Sequence, residues 1–304
     1  MSIIGTGVPT NRTNIQLPNE VSAEILQKTQ EGSMVMQLAR QIALPGRGAQ
    51  IPIIASDPEA AWVSETGMKA VSNPTLDKKI MQAHKLAVIV PFSDEFRRDA
   101  AALYDALIAR LPGVLAKKFD NTVFFGPASG SLANFDNFSA VTGYALDAAN
   151  HTAYDGLVAA DVAVSTAGGT VNGFAFSPQG RGVLLAATDG DGRPLFVPSV
   201  ADGAVNRILG APVHFGSAAY KAGSAGAGSD AGTPDIVGFA GDWTHAMYGV
   251  VEGVKIDYSA DATLISGSDT INLFQQNMFA VRAEIEIGFV AETAYFAALT
   301  RTHV

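Results

Sequence analysis

The sequence contains no cysteine, which excludes a disulfide framework and thiolate metal ligands. It has no apolar run that approaches the roughly 18 residues of a membrane-spanning helix, and residues 1–20 lack the basic and apolar regions of a signal peptide. Charged residues make up only 16% of the chain, less than is usual for soluble domains. We expect a soluble protein made in the cytoplasm, whose extra apolar surface lies in a rich core or between subunits.

The usual signatures of a catalytic or cofactor site are also missing. The five histidines show no HExxH or other ligand spacing, so we interpret each as a solitary polar residue. The glycine-rich stretches 126–130 and 223–228 lack the Gly-Lys-Ser/Thr ending of a phosphate loop. Asp189, Asp191 and Asp202 lack the twelfth-position glutamate of a calcium loop, which favours a plain turn. We therefore predict no enzyme, no cofactor and no metal.

The charge balance argues against a nucleic-acid-binding protein. The chain has 20 basic and 29 acidic residues and a net charge of −9, so as a whole it repels the negatively charged phosphates of nucleic acid. If the protein encloses DNA, we expect it to do so without strong attraction.

The most informative stretch is an extended hairpin with a long polar tip. Residues 50–56 and 80–90 are rich in β-branched and aliphatic residues, which predicts two strands. The roughly 20 residues between them, 57–79, are mostly polar, and so long a connection is normally functional or mobile. Trp62 is the one large anchor residue of this tip.

A long helix is predicted directly after the hairpin. Pro91 is expected to end the second strand, and Ser93 stands at an N-cap position before two acidic residues that suit the positive end of a helix dipole. Apolar residues then recur at helical spacing as far as residue 119. Pro112 interrupts this pattern, so we expect a kinked helix that ends near Gly126.

The clearest strand comes near the end of the chain. Residues 279–289 alternate between apolar and mostly polar side chains over 11 positions, which predicts one buried and one charged face. This strand is expected to return to the first half of the chain and to leave the middle as an inserted lobe. The lobe is predicted to contain a helix from Thr152, a strand at 174–176, a helix capped by Ser177, strands at 212–215, 235–240 and 254–258, and a flexible loop at 221–232.

Several segments together resemble a known family. They are AAWVSETG (60–67), KLAVIVPFSDEF (85–96), NTVFFG (121–126), FSPQGRGVLLAATDGDGRPLF (176–196) and NLFQQNMFAVRAEIEIGFV (272–290). No one of them is diagnostic, but their order and spacing resemble the tailed-bacteriophage major capsid protein family, with its Hong Kong 97-type fold.

The resemblance implies an α+β fold with a defined division of the chain. It implies an N-terminal arm at 1–19, an extended loop at 50–86, an axial domain at 147–262, and a peripheral domain made of 20–49, 87–146 and 263–304 that contains a spine helix at about 94–125.

The resemblance also implies a function and partners. Copies of the chain would form hexamers and pentamers of an icosahedral virion shell, assembled in the host cytoplasm around double-stranded DNA that is bound without sequence specificity. No membrane is involved. Because the chain lacks the long N-terminal scaffolding segment of part of the family, a separate scaffolding protein is expected, together with a portal and decoration proteins.

The family's type member joins neighbouring subunits by an isopeptide bond between a lysine and an asparagine, assisted by a glutamate. Lys69, Asn277 and Glu284 fall at comparable places in this sequence. The chemistry needs an uncharged amine, a carboxamide that loses ammonia and a carboxylate in an apolar setting. The simpler interpretation is that Lys69 is a solvated charge and that Glu284 pairs with Arg282.

Trp62, Glu65 and Lys69 in the hairpin tip are the candidates for contacts between subunits. The alternative for Trp62 is that it anchors its own loop. Two other functions stay open at this point. An encapsulin-type compartment would use the same fold to enclose cargo enzymes, and a soluble α/β hydrolase-like enzyme would need a nucleophile and a base that the sequence does not display.

Overall fold

The structure is a computed structural model of the chain. It describes residues 32–46, 48–54, 76–95, 108–147, 153–188, 207–225, 232–266 and 269–303, with isolated pieces at 29, 60, 62–66, 68–69, 71 and 195–196. The predicted arm at 1–19, the first half of the predicted long helix and the acidic turn at 189–192 lie outside the described residues.

A five-stranded sheet is built around one long strand. Its members are β1 (Arg40–Ala43), β4 (His84–Ser93), β10 (Ala246–Val250), β11 (Lys255–Ser259) and β14 (Met278–Ala291). Strand β14 pairs antiparallel with β4 along one edge and with β10 and then β11 along the other, and β1 adds to β10 in parallel. The prediction that the late strand returns to the first half of the chain is therefore confirmed.

A second, six-stranded sheet has the order β5-β15-β9-β6-β8-β7. Its strands are β5 (Gly143–Ala145), β6 (Gly173–Phe176), β7 (Arg207–Ile208), β8 (Ala211–Phe215), β9 (Asp235–Gly241) and β15 (Phe296–Arg301). Helices α3 (Ala153–Thr166) and α4 (Pro178–Ala186) pack against it, and Ser177 caps α4 through the Gly180 N–H as predicted. Antiparallel bridges join the described ends of the 221–232 loop.

Two separate hairpins, two further α-helices and three short 3-10 helices (Ser217–Ala219, Trp243–His245 and Thr293–Tyr295) are the remaining elements of the described chain. One hairpin pairs β2 (Ala49–Ile54) with β3 (Leu76–Met81), and the other pairs β12 (Thr263–Ser266) with β13 (Asp269–Asn272). The helices are α1 (Met34–Leu38), capped by Ser33, and α2 (Leu111–Phe125).

The alternation predicted for the late strand is confirmed, and the strand is longer than predicted. The six apolar residues of the predicted inner face are all buried: Phe279, Val281, Ala283, Ile285, Ile287 and Phe289. Beyond Ile287 both faces are covered, so Gly288 and Val290 are buried as well and the strand continues to Ala291.

The second arm of the predicted hairpin is divided in two. The sequence predicts one strand over 80–90, but β3 ends at Met81 and β4 begins at His84, where the chain leaves the hairpin and joins the five-stranded sheet. Pro91 does not end the strand, because among the described strands β4 pairs only with β14, and an edge position tolerates a residue without an N–H. The two parts are alike in composition, so composition could not show that they have different partners.

The helix is interrupted before Pro112 and not at Pro112, where the sequence predicts a kink. Ile108 is helical, Ala109 and Arg110 form a turn, and α2 begins at Leu111 with Pro112 in its first turn. The missing N–H of a proline costs nothing in the first turn, where N–H groups have no helical partner. The interruption therefore precedes the proline, and α2 ends at Gly126, as predicted.

An aromatic core joins the two large sheets to α2. Phe124 of α2 stacks on Phe239 of β9 with ring centroids 4.7 Å apart, and Phe138 stacks on Phe296 of β15 at 4.4 Å. Phe289 of β14 meets Phe138 edge to face at 5.8 Å. The same buried cluster therefore contains residues of both sheets, and neither sheet has a separate core of its own at this point.

The sheets divide the chain at different points from the predicted domains. Residues 246–259, assigned by the sequence to the axial domain, form β10 and β11 of the five-stranded sheet. Residues 296–301, assigned to the peripheral domain, form β15 of the six-stranded sheet. The chain crosses between the sheets more often than a single inserted lobe requires, because strand pairing joins segments far apart in sequence.

A buried carboxylate ties α1 to α2. Asp120 of α2 is 1% exposed and accepts hydrogen bonds from the Ser33 hydroxyl at 2.5 Å, the Met34 N–H at 2.9 Å and the Val35 N–H at 3.4 Å. Burial raises the pKa of Asp120 from 3.8 to about 6, although these hydrogen bonds act to lower it. Asp120 thus satisfies the start of α1 while carrying a charge that its burial disfavours.

This pKa predicts a pH-dependent stability. Because the pKa of Asp120 is higher in the folded state, its contribution favours folding fully at low pH and is lost as the pH rises through about 6. The rise in the pKa of Asp120 corresponds to roughly 3 kcal/mol of folding free energy, which is lost between low pH and neutral pH. The free energy of unfolding of unassembled subunits, measured by urea titration, should therefore fall relative to that of Asp120→Asn between pH 4 and pH 7. A difference that stays constant over this range would contradict the assignment.

Candidate assembly surfaces

The β2–β3 hairpin is anchored at its base by a small buried cluster. Met81, at the end of β3, is fully buried with Leu44 and Val290. Glycines at the cross-strand pair Gly249 and Gly288 allow this close packing, because an added Cβ at Gly288 would lie 2.7 Å from the Gln82 carbonyl oxygen. The hairpin base therefore rests directly on the backbone of the five-stranded sheet.

A lysine fixes the same base through polar contacts. The Lys79 ammonium donates to Asp136 Oδ2 at 2.6 Å and to the Ala291 carbonyl oxygen, and Asp136 Oδ2 also accepts from the Ala291 N–H at 2.9 Å. These contacts join β3, the end of β14 and the loop after α2. The sequence analysis did not identify Lys79 or Asp136, because 57 residues separate them and no local pattern connects them.

The described residues of the hairpin tip present apolar side chains to solvent. Trp62 is 105% exposed, Met68 97% and Val71 85%. Trp62 therefore does not anchor its own loop within the chain. Glu65 and Lys69 are exposed beside it. Apolar side chains grouped in this way are typical of a surface that another molecule covers.

The β12–β13 hairpin and the turn that follows it form a second exposed apolar surface, which the sequence analysis did not single out. Ile265 is 80% exposed and Phe274 is 74% exposed, whereas the adjacent Leu273 is fully buried. The β-branched and aliphatic residues of 263–265 could have indicated a strand. It could not have shown that one apolar residue points to solvent.

The three residues of the proposed cross-link do not form a cluster within one chain. Asn277 is exposed and lies in a left-handed turn (φ 51°). Its backbone carbonyl oxygen accepts a hydrogen bond from the Asp94 N–H. Glu284 lies seven positions further along the extended β14, about 23 Å away at the usual rise of a strand. Its carboxylate is 3.5 Å from Arg282 Nε, the pairing that the simpler interpretation expects.

A buried polar network, also missed by the sequence analysis, fixes the end of the chain. Asp235 of β9 accepts from the Gly223 N–H at 2.8 Å, Arg301 Nε at 3.0 Å and the Tyr220 hydroxyl at 3.2 Å, and it contacts His303 Nδ1 at 2.6 Å. Burial alone would raise the pKa of Asp235, but these hydrogen bonds hold it well below its usual range. The carboxylate thus joins β15 to the base of the 221–232 loop.

The described residues contain no group of three His, Cys, Asp or Glu side chains that could hold a metal ion. In that same part of the chain, no helix is long and apolar enough to cross a membrane. The prominent features of the surface are the two hairpins with exposed apolar side chains. A closed core combined with such hairpins is typical of structural proteins that are completed by assembly.

The chain belongs to the phage capsid family, whose model matches residues 14–300. Its family makes it a structural component of the virion and not an enzyme, as the sequence predicted. It is 26% identical over 301 residues to the probable major capsid protein gp17 of Mycobacterium phage D29, covering 93% of this chain and 89% of that one. It is 25% identical to the major capsid protein of Staphylococcus phage 80alpha, covering 93% and 84%.

Solved structures show the same α+β fold. The structure from Gordonia phage Cozz has a TM-score of 0.71 at 23% identity, covering 90% of this chain and 87% of that one. The capsid of a native GTA particle has a TM-score of 0.63 at 17% identity, covering 89% and 90%. At these identities the likeness concerns the fold.

The anchor at Lys79 leads to a prediction about the hairpin. Replacing Lys79 by Met keeps the aliphatic stem but removes its hydrogen bonds to Asp136 and to the Ala291 carbonyl oxygen. Because the Lys79 and Asp136 side chains are 34% and 31% exposed, these contacts stabilise the hairpin base by only roughly 1 to 1.5 kcal/mol. Amides of β2 and β3 should then exchange hydrogen about five- to ten-fold faster in unassembled subunits. Lys255→Met, at an exposed lysine of β11, is the matched control, and equal effects of the two variants would refute the anchor.

The cross-link is tested by denaturing gel electrophoresis of particles boiled in detergent. A covalent bond between Lys69 of one copy and Asn277 of another would give a ladder of multimers, and Lys69→Arg, Asn277→Ala or Glu284→Gln would each reduce the ladder to monomer. A single monomer band from the unchanged protein would eliminate the cross-link and leave the Arg282–Glu284 pair as the role of Glu284.

Proposed function

We propose that this chain is the major capsid protein of a tailed phage and that it has the Hong Kong 97-type fold. Copies assemble into hexamers and pentamers of an icosahedral head that encloses double-stranded DNA. The observation that carries the proposal is the hairpin tip, whose apolar side chains are exposed in the single chain although the core is closed. The family match and the names of the curated relatives support the same function.

The domain division is part of the proposal. The extended loop corresponds to the β2–β3 hairpin and its tip, and α2 is the second half of the spine helix. The five-stranded sheet forms the peripheral domain, and the six-stranded sheet with α3 and α4 forms the axial domain. We place β10 and β11 in the peripheral domain and β15 in the axial domain, because hydrogen-bonded strands move as one body.

The mechanism of assembly follows from what the single chain leaves uncovered. Burying the exposed part of a large apolar side chain contributes about 1.5 to 3 kcal/mol, so contacts by Trp62 and Met68 could hold neighbouring subunits together when repeated around a capsomer. Lys79 and Met81 fix the direction in which the hairpin leaves the body. Each copy thus supplies an apolar projection and depends on a sister copy to cover it.

The remaining partners follow from this function. A separate scaffolding protein, a portal and decoration proteins would complete the head, and assembly would take place in the host cytoplasm. The contents of the particle separate the proposal from an encapsulin-type compartment. Packaged DNA supports a phage head, and a cargo enzyme in its place would contradict it.

Electron microscopy of the purified protein, produced with its own assembly partners, tests the function directly. Uniform icosahedral particles are expected. Trp62→Ala should reduce particle yield strongly while leaving the unfolding midpoint of unassembled subunits unchanged, because Trp62 is fully exposed in the single chain. Leu209→Ala, at an exposed residue of another turn, is the control for particle yield. A fully assembling Trp62→Ala variant would remove this residue from the interface, and absence of particles from the unchanged protein would refute the function.

A further inference from the structure

Helix α2 presents a solvent face on which all the ionisable side chains are cationic. Its buried side faces the sheet and the aromatic core, and its one carboxylate, Asp120, lies on that side. The exposed side begins at the N-cap, Arg110, and continues through Val114 to Lys117 and Lys118. We call Arg110, Lys117 and Lys118 the cationic helix face.

The charges of this face have no partners in the described part of the chain. None of the three side chains takes part in an ion pair or hydrogen bond with another described residue. In a chain with a net charge of −9, a helix whose exposed charges among the described residues are all cationic is a local reversal of sign. Such a local field attracts a polyanion even when the molecule as a whole is acidic.

The opposite side of the five-stranded sheet is different. There Lys85 pairs with Glu286 at 2.9 Å, and Arg282 pairs with Asp257 at 2.5 Å. These strand residues alternate with the apolar residues that pack toward α2, so they lie on the other face of the sheet. Lys85 and Arg282 on that side are thus paired with carboxylates, whereas the cationic helix face has no such partner among the described residues.

The spacing of the cations suits an extended charged chain. Seven residues separate Arg110 from Lys117, which corresponds to about 10 Å along a helix. The Lys221 ammonium lies 5.7 Å from the centre of the Phe125 ring and adds a further cation near the end of α2. Long flexible cations spaced along one side of a helix match phosphate contacts, which carry no sequence information.

We propose that the cationic helix face is the surface of the subunit that contacts the phosphate backbone of the enclosed DNA, which makes the α2 side the inner side of the shell. This inference rests on the proposed function and adds the surface and the chemistry of contact. The contact is weak and salt-dependent for a single subunit, since the rest of the chain repels a polyanion. Repetition over many subunits makes it effective in the particle.

The test measures binding of unassembled capsomers to a fluorescent 20-base-pair duplex by anisotropy at several salt concentrations. The variant replaces Arg110, Lys117 and Lys118 by Gln. The unchanged protein should bind at low salt, and the variant should bind at least ten-fold more weakly. Its salt dependence should also be shallower, by up to about 0.9 in slope for each lost phosphate contact.

A matched variant replaces three exposed cations elsewhere, Lys85, Lys255 and Arg207, by Gln, so that the net charge changes equally. This variant should retain most of the affinity of the unchanged protein. Equal losses in both variants, or no binding by the unchanged protein at low salt, would overturn the proposal. Tighter binding of polyglutamate than of DNA would also overturn it, because the face would then fit an acidic protein segment. Electron microscopy of the same preparations reports assembly separately, so a failure of this inference is distinguishable from a failure of the proposed function.

Discussion

Strand β14 is hydrogen-bonded along both edges, to β4 on one side and to β10 and β11 on the other, and its inner residues pack toward α2. Because it pairs with strands from the first third and the last third of the chain, it holds together segments that are nearly 200 residues apart. Its far end also carries the anchor of the hairpin, through the Ala291 backbone. The position of the hairpin, the burial of α2 and the contact with the second sheet all depend on this strand.

The aromatic core and the exposed hairpins have different roles in this arrangement. Aromatic rings fill the junction of α2 with both sheets. The most exposed large apolar side chains lie instead in the tip of the β2–β3 hairpin and at the β12–β13 hairpin with the turn that follows it. Exposed apolar side chains of this kind are available for contacts between copies, as the assembly of a capsid requires.

Much of the local structure was predictable because it depends on short-range patterns. The period of two over residues 279–289, the cap at Ser177 and the end of α2 at Gly126 were each stated from neighbouring residues and are present in the structure. The candidate site was partly predictable too, since a polar tip with a lone tryptophan indicates an exposed loop. Lys79, Asp136 and Asp235 were not predictable, because their partners are distant in sequence and no local pattern connects them.

The sequence by itself determined the class of fold, the kind of element at most positions and the absence of disulfide and thiolate chemistry. Only the tertiary structure decided which elements are neighbours: that the second arm changes sheets after Met81, that β10 and β11 join β14, and that Asp120 is buried against Ser33. The physical reason is that periodicity depends on the chain's own backbone geometry, whereas strand partners and buried polar contacts depend on a packing that all segments reach together.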